Sequence, residues 1–235
     1  MKYLVTLAVG ILTGAILGLL VLVFNPFISA DDLSPLSVSG NRLIILKYSA
    51  VPDDAILHTN NGEARTRTQP AGVQQLWEPA IRKTTITATV LSDYQGKPAG
   101  IGIKFASLSE STRLSSGEAN VDSVWHVFLP GQGSFAVGQR ENYFNYLREI
   151  VIPAHWSSGK SWKGRWRGNL TAGPGILKTA DVAGGSGDFA DLEMDAVEAL
   201  TARAYSAKIG PVAIDGELVI ELPRNSGAGS TPQSR

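Results

Sequence analysis

Residues 82–106 read Arg82-Lys-Thr-Thr-Ile-Thr-Ala-Thr-Val-Leu-Ser-Asp-Tyr-Gln-Gly-Lys-Pro-Ala-Gly-Ile-Gly-Ile-Lys-Phe-Ala106. The first half, to Ser92, is rich in β-branched residues, which are stiff at χ1 and fit a pleated strand. Asp93–Pro98 is a turn, and Ala99–Ala106 returns as a second strand, so the stretch is a hairpin. Val121–Leu129, Pro130-Gly-Gln-Gly133 and Ser134–Val137 repeat the plan. Four more strand-like segments follow, around 161–170, 175–183, 192–208 and 212–222. They are punctuated by Gly173-Pro174-Gly175, Gly184-Gly185-Ser186-Gly187 and Ile209-Gly210-Pro211. Short strands with Gly/Pro turns at this spacing mean an antiparallel sandwich or barrel, and closure removes exposed edges. The expected fold is therefore mainly all-β, an antiparallel β-barrel over residues 41–222.

One short helix is expected within it. In 142–151, Phe144, Leu147 and Val151 fall at i, i+3 and i+7, with Asn142 as a cap. Arg42–Tyr48 is of strand type, whereas 50–75, with Pro52, Asn60-Asn61-Gly62 and Pro70, reads mostly as loop. Residues 223–235 form a polar, low-complexity tail expected to be disordered.

A single N-terminal transmembrane helix is expected to precede the barrel. Residues 3–24 carry no charge, and 22 residues make a helix of roughly 33 Å, enough to cross a hydrocarbon core. A cleavable signal has a shorter apolar region, so residues 1–24 read as a permanent anchor and 25–40 as a linker. Lys2 precedes the run and Asp31-Asp32 follow it. The positive end stays in the cytoplasm. This gives a single-pass protein of the bacterial inner membrane with its C-terminal domain in the periplasm. The alternative is secretion to the periplasm after cleavage near Ala30. Gly10, Gly14 and Gly18 share one helix face, a small-xxx-small groove. It serves a homodimer or a membrane-protein partner, or it reflects the ordinary abundance of glycine in membrane helices.

Composition excludes several chemistries. Basic and acidic side chains balance at 21 each, which gives no electrostatic footprint for nucleic acid. The chain has no cysteine, so it has neither disulfides nor a thiol nucleophile. His58, His126 and His155 are far apart in sequence, and no HExxH-type spacing implies a metal. No GxSxG, Walker loop or GxGxxG is present, so no cofactor is expected. Asn169-Leu-Thr171 matches a glycosylation acceptor, relevant only in a eukaryotic secretory pathway.

Ala183-Gly-Gly-Ser-Gly-Asp-Phe-Ala190 and its flanking strands, about 45 residues, resemble the glycine-rich turn of allene oxide cyclase and dirigent-type β-barrels and of similar secreted bacterial barrels. Ser186 stands where threonine is usual there, and Asp191 where glycine is usual. The resemblance implies a barrel end with Phe189 as its plug, and it places no catalytic residue on this chain.

Two clusters carry binding chemistry. Tyr143, Tyr146 and Trp156 make an aromatic lid or plug, with His126, Glu141 and Arg148 available to set the polarity of an open interior. In Ser161–Asn169, side chains alternate. Lys163, Arg165 and Arg167 form one face, an anion-binding ladder or a partner for Asp191, Glu193 and Asp195 on a neighbouring strand. Trp162 and Trp166 form the other face, with Gly164 and Gly168 making room for the rings. These features imply a membrane-tethered binding or interaction module for an apolar or amphipathic ligand. The alternatives are a cofactor-free isomerase or cyclase acting inside the barrel, and a structural subunit of a membrane complex.

Overall fold

The computed structural model describes residues 2–23, 42–60, 63–65 and 84–222. The expected linker, the cleavage site near Ala30, residues 66–83 and the tail from 223 lie outside the described residues.

Helix α1 (Lys2–Val23) is long and apolar enough to cross a membrane, and from Tyr3 to Val21 it is exposed throughout. A membrane anchor and a signal sequence both have that character. Apart from the chain neighbours and the helix's own backbone, no described atom lies within 4 Å of where a side chain at Gly10, Gly14 or Gly18 would begin.

The rest is mainly strand. The strands β1 (Leu43–Ser49), β4 (Thr84–Ser92), β5 (Pro98–Leu108), β6 (Asn120–Leu129), β7 (Gly133–Asn142), β10 (Ala180–Gly187), β11 (Glu193–Ser206) and β12 (Gly210–Glu221) form an antiparallel sheet in the order β1-β12-β11-β10-β7-β6-β5-β4. β4 then meets β1 through the pair Lys47–Ser92, so the sheet closes into a ring of eight strands. β2 (Leu57–Asn60) and β3 (Glu63–Arg65) form a small hairpin laid against β4. β8 (Ser161–Asn169) pairs with the later half of β11, and β9 (Thr171–Gly173) pairs with β7. Registers place Arg42, Leu222 and the turns at 93–97, 130–132 and 188–192 at one end of the ring. The other end carries Ser49, the β11–β12 turn at 207–209 and the start of β8.

The helix between β7 and β8 runs Phe144–Tyr146, Leu147–Val151 and Ile152–Trp156, here α2, and is π-wound in its middle part. Pro153 has no N–H to return to the carbonyl four residues back, which accounts for a widened turn just before it. Asn142 Oδ1 accepts the Phe144 N–H (2.9 Å) and the Ala119 N–H (3.0 Å), so the residue expected to cap α2 also ties it to the chain entering β6.

Period-2 alternation fills the ring in layers. Leu129, Val127 and Trp125 of β6, Phe135 and Val137 of β7, and Leu218 and Ile220 of β12 are buried in a lower apolar cluster. Tyr146 and Ile150 of α2, with Leu200, Ala202 and Ile214, make an upper one. Between them the same inward rows turn polar: Ser123, Gln139, Glu141 and Glu198 are all buried.

Several expectations are corrected. Strand β7 continues to Asn142, so Glu141 is an inward strand residue and not a lead-in to the helix. The 50–75 region contains a 3₁₀ turn (Pro52–Asp54) and the β2–β3 hairpin. Gly184–Gly187 belongs to the end of β10, with a bulge between Gly184 and Ser186, and the turn follows it. Phe189 is buried edge-on to Phe135 (5.1 Å). Asp191, Glu193 and Asp195 do not oppose β8: Arg167 lies across from Thr201 and Lys163 across from Ala204. The β11 stretch that pairs with β8 begins at Ala199, past the acidic run.

Candidate functional site

The site grows from four inward positions on three strands. On β5, Gly100, Gly102 and Lys104 share a face, and the two glycines leave room for bulk from β6: a Cβ at Gly102 would sit 2.8 Å from the Trp125 ring. Lys104 therefore reaches across the interior, its side chain 11% exposed. Gln139 and Glu141 follow Phe135 and Val137 along the inward row of β7, and Glu198 follows Met194 and Ala196 along that of β11.

The Lys104 ammonium bridges the two carboxylates, at 2.8 Å from Glu141 Oε1 and 2.7 Å from Glu198 Oε1. It also lies 5.3 Å from the centroid of the Trp125 ring. Each glutamate has its own set of donors. Ser123 Oγ and Gln139 Nε2 (3.0 Å) donate to Glu141 Oε1, and Tyr143 OH donates to Oε2 (2.7 Å). Tyr48 OH donates to Glu198 Oε1, and Trp125 Nε1 (3.0 Å) and Gln139 Nε2 donate to Oε2. Thr171 Oγ1 donates to Gln139 Oε1 (2.8 Å) and accepts the Glu198 N–H (2.7 Å), which fixes the orientation of the Gln139 amide. A buried charge is tolerated only when paired and hydrogen-bonded, and this network meets that condition for all three ions.

The two carboxyls are pushed apart. Burial raises Glu141 above the ordinary carboxylate range, and the charge of Glu198 adds to the rise against the pull of Lys104. Burial also opposes ionisation of Glu198, but the Lys104 ammonium and the hydrogen bonds from Lys104, Tyr48 and Trp125 hold it below the ordinary value. Burial works against the charge on Lys104, and Glu141 and Glu198 together outweigh it and raise the group. Burial and the adjacent carboxylates hold Tyr48 and Tyr143 well above the usual phenol, so both stay protonated donors. Of the two carboxyls, Glu141 therefore takes up a proton more readily than Glu198. Two carboxyls with separated affinities are the usual basis for assigning an acid and a base.

Above this network lies a cavity of about 250 Å³. Lys104, Tyr48, Tyr143 and Trp125 form its polar side, and Tyr146, Leu200, Pro211 and Ile214 are among its apolar walls. The glutamates stand behind the lining and act on it through Lys104 and the two phenols.

Of the residues singled out in the sequence, Glu141, Tyr143 and Tyr146 come together here. His126 does not: it is on the outer face of β6, edge-on to Phe105 at 5.9 Å. Trp156 is 57% exposed at the end of α2. Arg148 pairs with its neighbour Glu149 (2.7 Å) and lies over Phe144. α2 acts partly as a plug, because Ile150 and Ala154 are fully buried, yet the cavity remains beneath Tyr146. On β8, Trp162 and Trp166 pack on the upper cluster and Trp166 Nε1 donates to Glu149 (2.8 Å). Side chains at Gly164 and Gly168 would strike those rings. Lys163 and Arg165 are exposed, and Arg167 pairs with Glu217 (2.9 Å).

Lys104, Glu198, Tyr48 and Gln139 escaped the sequence reading. A signal was present for two of them. Lys104 follows Gly100 and Gly102 at period 2, and Glu198 stands between Met194, Ala196, Leu200 and Ala202 on one strand face. A charge inside an otherwise small or apolar row is an inward charge. Tyr48 and Gln139 carry no such mark. Among the described residues no group of three or more His, Cys, Asp or Glu is placed to hold a metal ion.

No family model matches the chain, and no curated protein matches it. Solved structures do. One, described as a nonspecific heme-binding cyclase that catalyses [4 + 2] cycloaddition during neoabyssomicin biosynthesis, is 11% identical with a TM-score of 0.38, covering 86% of this chain and 77% of its own. Another, the Diels–Alderase AbmU from Streptomyces koyangensis, is 11% identical with a TM-score of 0.38, covering 86% and 79%. Neither is described as an allene oxide cyclase or a dirigent protein. At that degree of likeness, the chemistry of this chain rests on its own residues.

Proposed function

We propose that this chain is a membrane-tethered, extracytoplasmic binding protein that holds a small apolar or amphipathic ligand inside its ring. The supporting observation is the cavity itself: an apolar wall on one side and, on the other, an ammonium and two phenols aimed from a buried network. A dry cavity of roughly 150 Å³ already takes a benzene-sized guest, so about 250 Å³ suits a ligand of one or two small rings. Lys104 uses two of its three N–H bonds on the glutamates, and a carbonyl, enolate or carboxylate oxygen of the ligand would take the third. Native mass spectrometry of the detergent-extracted full-length chain tests this. The expected result is a retained small molecule that is lost in Lys104→Met and kept in His126→Ala. A chain that carries nothing, and that binds no member of an apolar carbonyl library, overturns the reading.

The opposite shifts of Glu141 and Glu198 favour a second reading, a cofactor-free isomerase or cyclase in which the pair moves a proton through Tyr143 or Lys104. Glu141→Gln then abolishes conversion of the bound compound and leaves its binding intact. Equal conversion by the variant excludes that reading.

A further inference from the structure

The β8–β11 corner at the cavity end of the ring gathers charge of one sign. The segments 155–168 and 203–212 contain Lys160, Lys163, Arg165, Arg167, Arg203 and Lys208 and no acidic residue. They are neighbours in space, since Ser206 pairs with Ser161 and the Ala207 N–H bonds the Lys160 carbonyl (2.9 Å). Arg167 is spent on Glu217 and Arg203 on Asp215. Lys160, Lys163, Arg165 and Lys208 are exposed and have no acidic partner among the described residues. Among these cations stand two exposed apolar side chains, Trp156 (57%) and Ile209 (65%). The exposed acids at this end lie on other segments: Asp53 and Asp54 in the 3₁₀ turn after β1, Glu110 between β5 and β6, and Glu149 on α2, where it pairs with Arg148 and accepts the Trp166 Nε1–H, so the β8–β11 edge itself is cationic.

We propose that this corner docks on the surface of the anionic bilayer that holds the chain, turning the cavity end of the ring toward the lipid. The proposal rests on the reading of α1 as an anchor. Charge complementarity carries it: lysine and arginine without acidic partners (Lys160 donates only to the His155 carbonyl, 2.6 Å), beside an exposed tryptophan and isoleucine, is the composition that settles at a lipid interface, with the cations on phosphate and the ring at headgroup depth. Each such cation biases binding to an anionic surface by about fivefold. The covalent path permits the orientation. α1 connects to the far end of the ring, at Arg42, but residues 24–41 span up to roughly 60 Å when extended, and a ten-residue strand such as β6 is only about 33 Å long. A ligand drawn from the bilayer would then reach the cavity without crossing water.

The chain contains no cysteine, so a single introduced thiol reports from one place. Ser158→Cys at the corner and Gln95→Cys at the opposite end are each labelled with an environment-sensitive fluorophore. The full-length chains are placed in nanodiscs containing spin-labelled quencher lipid. In discs with phosphatidylglycerol at low salt, the Ser158 probe is expected to be quenched about fivefold more than the Gln95 probe. The difference should collapse in phosphatidylcholine discs, at high salt, and in Lys163→Glu/Arg165→Glu. Equal quenching at the two sites, or a preference indifferent to lipid charge and to that variant, overturns the docking while the chain stays in the disc. A chain that is not retained by the disc overturns the tether and the docking together.

Discussion

Lys104 holds two carboxylates that would otherwise face each other across a dry interior. Removing one partner of a buried ion network costs about 3–5 kcal/mol, because the remaining charges keep their desolvation penalty. Lys104→Met should lower the stability of the ring by that amount, read as a shift of the urea midpoint with unchanged slope. The two glutamates predict opposite pH behaviour. Glu141 is raised on folding, so its contribution is complete below the ordinary carboxylate range and is lost as pH rises through its folded value. Glu198 is lowered, so its contribution is present above that range and is lost as pH falls through its folded value. Glu141→Gln should therefore remove the stability loss that sets in as pH rises above the ordinary carboxylate range and leave the loss on acidification, and Glu198→Gln should do the reverse. Denaturant midpoints across pH check this directly, and identical profiles for the two variants would refute the assignment.

At the scale of elements, β8 and β12 show why certain glycines sit in strands that otherwise favour bulk. Gly164 and Gly168 lie under the rings of Trp162 and Trp166, and Gly216 lies under the ring of Tyr48. A side chain there meets an aromatic ring with buried neighbours behind it, so the strain cannot be shed cheaply. Gly216→Val is expected to cost about 1–3 kcal/mol. It should also push Tyr48 off Glu198, giving a larger loss of ligand binding than Gly164→Val, because Tyr48 lines the cavity and Trp162 does not. Comparison of melting temperature with binding for the two variants separates packing from site geometry. The widened turn of α2 belongs to this scale as well: it lets the helix bury Tyr146, Ile150 and Ala154 in one row while Pro153 interrupts the regular ladder.

The whole ring is closed unevenly. β11 and β12 pair over most of their length, as do β6 and β7, whereas β1 meets β4 at one residue pair among the described residues. Local opening follows the density of hydrogen bonds and buried contacts. Amide exchange should therefore be fastest along the β4 side of that seam and slowest in the central β6–β7 and β11–β12 ladders. Uniform protection around the ring would contradict this.

Alternation, β-branching and Gly/Pro punctuation were enough to determine an antiparallel β protein with one helix and an apolar N-terminal segment. These are local properties, and each strand displays them without reference to its neighbours. The stacking of tryptophan on glycine in β8 was legible for the same reason, because both partners lie on one strand face. What the tertiary structure alone decided was which strands adjoin. Whether Lys163 faces an acid, whether His126 points in or out, and whether Lys104, Glu141 and Glu198 meet all depend on registers between segments far apart in sequence. A one-residue change of register turns every side chain to the other face. The site is built from such non-local pairings, and so it became visible only when the ring closed.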